Sequence, residues 1–137
     1  MGLFPPNPQR REMLDRAPLA DSKFADAVTT NCEHRDTVIA IRRVLGHSCQ
    51  VPRKSIRADD LFEELTELMC FEWDELDFVF RMEMELNCKI VRASLNFPAL
   101  ELRSYYNRRP FVGTKVGDWI ASMAPQIAIL SQAAPPT

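Results

Sequence analysis

The sequence predicts an all-α fold, and three observations lead there. Only four of the 137 residues are Gly, and tight β-hairpins need Gly because it alone reaches positive φ cheaply. Apolar residues recur at three-to-four spacing through Val38, Ile39, Ile41, Val44 and Leu45, the period of a helix with one buried face. Met, Glu, Leu and Arg, all good helix formers, make up residues 81–86, and no β-branched residue occurs from 80 to 89.

The elements follow in order. Residues 1–34 begin with Pro5, Pro6, Pro8, Arg10 and Arg11, and this mixture predicts a flexible or loosely docked N-terminal arm. Within it, Asp21 or Ser22 can cap a short helix to about Thr30. Residues 36–45 form the first strong helix, with Gly46 suited to the position just past its end. The stretch from His47 to Asp60 contains Pro52 and is expected as a loop. Asp59 or Asp60 caps a short helix whose apolar face is Leu61, Phe62, Leu65 and Leu68.

Residues 74–87 favour a helix, although Phe80, Met82, Met84, Leu86, Cys88 and Ile90 also alternate with polar residues as in a half-buried strand. Residues 91–113 are a long connection interrupted by Pro98 and Pro110. Thr114 is suited to cap a last helix that Pro125 should end. The result is a helical domain over 35–124 and a C-terminal tail over 125–137.

Hydrophobic residues make up 46% of the chain and charged residues 26%, a balance that excludes wholesale disorder. The net charge of −2 hides a segregation. Residues 1–58 carry +4, residues 59–88 carry −10 with Arg81 as their one base, and residues 89–137 carry +4. An acidic centre repels phosphate, which argues against nucleic acid, and suits a basic partner. No apolar run approaches the ~20 residues of a membrane span. The opening MGLFPPNPQRR lacks the basic-then-apolar order of a secretion signal, so reduced thiols and a cytoplasmic location are expected.

Catalytic and cofactor motifs are sparse. Neither a G-x-G-x-x-G nor a P-loop pattern occurs. Cys32–His34 and His47–Cys49 carry zinc-type ligands, but a helix between them separates the pairs by roughly 15 Å, far beyond a shared ion. No metal is expected. Cys70 and Cys88 lie in apolar surroundings and are expected as small core residues, while a small enzyme using one of them is the catalytic alternative. Trp73 and Trp119 are expected as core or rim anchors.

In their order, these pieces resemble the acyl carrier protein family. Val38–Leu45 is similar to its first helix, and Ala58–Leu65 to the segment leading to its carrier site. Asp74-Glu75-Leu76-Asp77 with Phe78–Ile90 is similar to its Asp-Ser-Leu-Asp motif and following helix. Thr114–Ile120 is similar to the Thr-Val-Gly-Asp start of its last helix. The resemblance covers about residues 35–124 and implies a four-helix acyl-carrier-protein-like bundle.

It breaks at the attachment position, which falls on Glu75 by motif or near Glu72 by counting back from Ile90. Carriers have Ser there, and this chain has no Ser from Ile56 to Ala93; Thr66 is the one hydroxyl in that window. The sequence therefore suggests a non-catalytic interaction module without a prosthetic group or other cofactor. It would present Glu72, Asp74, Glu75, Asp77, Glu83 and Glu85 to a basic protein surface, such as an acyl-transfer or synthase-type enzyme. The alternative is a genuine acyl or peptidyl carrier modified at an atypical residue.

Overall fold

The computed structural model describes residues 7–68, 75–90 and 113–133. Expectations for Cys70, Glu72, Trp73, Asp74, the connection 91–112 and the last residues 134–137 lie outside them. The described residues are helical, with six α-helices: α1 Pro8–Leu14, α2 Asp21–Val28, α3 Arg35–Cys49, α4 Phe62–Glu67, α5 Glu75–Leu86 and α6 Val116–Ala133. Short 3-10 turns at Cys32–His34 and Arg53–Ser55 connect them. The strand alternative for 80–90 is set aside, because the backbone is helical to Leu86.

The longest N-terminal helix, α3, is the centre of the fold and packs against α2, α5 and α6. Its Val38, Ile41, Val44 and Leu45 are buried, which places the periodic apolar stripe in the core. The helix does not stop at Gly46 but runs to Cys49. Gln50 takes the left-handed conformation at φ 58° instead, and the N–H groups of Val51 and Gln50 donate to the carbonyls of Gly46 and His47, closing a Schellman end. Gly46 has a different use. A Cβ there would lie 3.0 Å from the Val51 carbonyl oxygen and 3.1 Å from the Arg53 main chain, so Gly lets the returning chain cross the helix closely.

Part of the N-terminal segment contributes to the core. Met13, Phe24 and Ala25 are buried in the common core. Asp21 does not cap α2, whose cap position is Ala20 without a side-chain bond. Its carboxylate accepts from Arg42 (2.9 Å) and Arg53 (2.9 Å). Arg42 is fully buried, donates also to the Ile56 carbonyl at 2.8 Å, and lies 4.3 Å over the Phe24 ring. Burial pushes the Arg42 guanidinium below its ordinary value. Burial alone would raise Asp21, but the hydrogen bonds from Arg53 and Arg42 outweigh it and hold the carboxyl below the usual range.

The starts of α4 and α6 cap one another through main chain. The Phe62 N–H donates to the Thr114 carbonyl at 2.8 Å, while Val116 and Gly117 N–H groups donate to Asp60 and Ala58 carbonyls at 2.8 and 2.9 Å. These bonds satisfy donors that a helix start otherwise leaves open. Asp60 is therefore not the side-chain cap of α4, whose cap position is Leu61. Thr114 lies two residues ahead of the first helical residue of α6. Gly117 permits the approach, since a Cβ on it would sit 2.8 Å from that of Ala58.

Pro125 does not end the last helix; it lies inside α6. Pro lacks the N–H that would reach the Ala121 carbonyl, and the neighbouring Ser122 carbonyl accepts from Gln126 Nε2 at 3.0 Å. Met123, Ala124, Ile127 and Ala128 are buried on both sides of the Pro, so packing carries the helix through it.

Candidate functional site

The acidic segment is positioned by an aromatic cluster. Trp119 of α6 stacks on Phe62 of α4 at 4.6 Å between centroids and meets Phe78 of α5 edge-on at 5.3 Å. All three rings are buried, so three helices share one apolar anchor. Phe78, Val79 and Met82 give α5 its inner face.

Helical geometry then decides what faces outward. Residues 80 and 84 are one turn apart, whereas residue 82 lies on the opposite side. Phe80 is 58% and Met84 59% exposed, while Met82 is buried. Beside them, Arg43, Val44 and His47 of α3 and Arg81, Met84 and Glu85 of α5 line a shallow groove of about 260 Å³. Among the described residues, the exposed large hydrophobic side chains are Leu14, Phe80, Met84 and Ile129.

The six acids singled out by sequence have different fates. Glu72 and Asp74 lie outside the described residues, and Glu75 opens α5. Asp77 pairs with Arg81 one turn later at 3.0 Å. Glu83 serves the helix end: its Oε2 accepts from the Ile90 N–H at 2.8 Å, and its carbonyl accepts from the Cys88 N–H past left-handed Asn87 at φ 51°. Glu85 is exposed on the groove rim, 3.8 Å from Arg43. On the preceding stretch, Asp59 and Glu67 are also exposed.

Sequence reasoning did not bring Phe80, Met84, Arg43 and His47 together on one surface. The signal was the alternation at 80–90: on a helix it places apolar residues on both faces, one of which has no core to enter.

Of the nucleophile candidates Cys70 and Cys88, only Cys88 lies among the described residues. Cys49 Sγ donates to the Leu65 carbonyl at 3.4 Å. Burial, with Glu83 adding to it, pushes the Cys88 thiol up, away from the thiolate a nucleophile needs. The Thr66 hydroxyl donates to the Glu63 carbonyl within α4 at 2.8 Å. His47 and Cys49 sit in the last turn of α3, and Cys32 and His34 in the turn before it. Among the described residues, no group of three His, Cys, Asp or Glu side chains could hold a metal ion. No helix among them is long and apolar enough to cross a membrane.

No family model, curated protein or solved structure matches this chain.

Proposed function

We propose that the chain is a non-catalytic, acyl-carrier-like interaction module without a prosthetic group, which binds a basic protein surface through its acidic α4–α5 side. The observation that carries this reading is the outer face of α5. Phe80 and Met84 stand exposed one turn apart, with Glu85 beside them and Glu67 exposed on the preceding helix. Apolar anchors rimmed by charge suit a protein partner. The acids would set partner choice and on-rate, in a manner that salt weakens.

Two measurements test the reading. Incubation with coenzyme A and a phosphopantetheinyl transferase should leave the intact mass unchanged; an added phosphopantetheine group overturns the prosthetic-free assignment and favours a genuine carrier. A photo-crosslinker at position 80, used in the source cell, should label a surface rich in Lys and Arg. The adduct should be lost in the Glu67→Lys/Glu85→Lys variant. Labelling of an acidic surface, or adducts indifferent to the reversal, overturns the docking assignment.

A further inference from the structure

The second feature concerns α1 and is independent of the α5 surface. This helix has seven residues, too few to persist alone in water. Asn7 caps it by accepting from the N–H groups of Gln9 and Arg10, and Pro8 occupies its first turn, so its start is well formed. Met13 is its one buried side chain.

Arg10 within the helix and Arg16, two residues beyond its last residue, complete the attachment. Arg10 donates through Nη2 to the Leu68 carbonyl at 2.8 Å and through Nε to the Cys49 carbonyl at 3.3 Å. Those carbonyls lie at the C-terminal ends of α4 and α3, where unpaired acceptors and the helix dipole favour a cation. Arg16 donates to the Ser55 carbonyl at 3.0 Å and pairs with the buried Asp60 at 2.8 Å.

Beyond Arg16 the chain is tied down separately. Arg57 donates to the Ala17 carbonyl at 2.6 Å, and the Leu19 N–H donates to the Lys54 carbonyl at 3.0 Å. The attachments at Ala17 and Leu19 are therefore separate from those of Arg10, Met13 and Arg16.

We propose that α1 is a separable strap seated in a docking groove for a basic amphipathic helix of a partner protein. The ligand it stands in for has the pattern Arg-x-x-apolar-x-x-Arg, set in this chain by Arg10, Met13 and Arg16. The receptors are main-chain carbonyls, one buried carboxylate and one apolar seat. While α1 is closed, it competes with the partner from within the same chain.

The test uses the full chain, as wild type and as the Arg10→Ala/Arg16→Ala variant. In wild type, α1 amides should exchange hydrogen about tenfold faster than α3 amides, through a local opening. In the variant, α1 exchange should rise further while α3 protection stays. A labelled synthetic peptide of residues 5–18 should bind the variant about tenfold more tightly than wild type, where the groove is filled. The same peptide with both arginines replaced by Ala should lose that binding. Equal protection of α1 and α3 in wild type overturns the proposal, as does a variant that loses α3 protection along with α1. Peptide binding equal in the two chains, or indifferent to the peptide's arginines, overturns it too.

Discussion

The N-terminal half and the α4–α6 half are held together by different physics. In the first, arginines face inward: Arg42 is buried on Asp21, Phe24 and the Ile56 carbonyl, and Arg10 and Arg16 reach main-chain carbonyls and Asp60. In the second, rings do the holding. Phe62, Phe78 and Trp119 form the shared contact, and carboxylates such as Asp59, Glu67 and Glu85 face solvent. One half uses its charge to fold; the other leaves much of its charge facing solvent.

The largest effect should come from removing the ring that joins three helices. Trp119→Ala should cost about 4 kcal/mol, the range for a fully buried aromatic, read by urea unfolding. A loss under about 1 kcal/mol would contradict the role given to this cluster. Arg42→Ala should follow at about 3 kcal/mol, because it strips a buried carbonyl and a largely buried carboxylate of a donor. Arg53 remains beside Asp21, which is why the cost should stay near the lower end.

Gly46→Ala should cost about 2 kcal/mol, since its new methyl meets main chain and not a side chain that can swing away. If this variant is instead as stable as wild type, the close crossing at Val51 and Arg53 is not rigid.

Acid sharpens the contrast between the halves. The Asp21 carboxyl is held below its ordinary value, so the unfolded chain binds this proton more readily than the folded one. The stability it contributes is complete above the usual carboxylate range of about 4 and is lost as pH falls through the depressed folded value. Asp21→Asn should therefore flatten the decline of stability below about pH 4. A decline as steep as wild type would assign acid sensitivity elsewhere.

Much of this architecture was legible in the sequence, for reasons that differ by residue. The stripe Val38–Leu45 marked α3 because a long helix buries one face at a fixed period. The composition of residues 74–87 favoured a helix, and the backbone is helical from Glu75. The ends were harder. Gly46 looked like a terminator but is a close-approach residue within the helix, and the left-handed end falls on Gln50.

The mutual capping of α4 and α6 uses main-chain groups, which leave almost no mark in side-chain identity. Pro125 was overridden by burial on both sides of it. The basic N-terminal segment read as an arm because its arginines find their acceptors on carbonyls 39 to 58 residues away. At the candidate site the acidic character was plain, but the outward turn of Phe80 and Met84 required the helix to be known first.

The comparison rests most directly on one set of urea titrations. Arg42 and Arg53 would be neutralised one at a time, alongside Asp59, Glu67 and Glu85. Each arginine variant should lose about 1 kcal/mol or more, whereas the acid variants should stay within about 0.5 kcal/mol of wild type. Overlapping losses in the two groups would contradict the division between charge that folds the chain and charge that faces solvent.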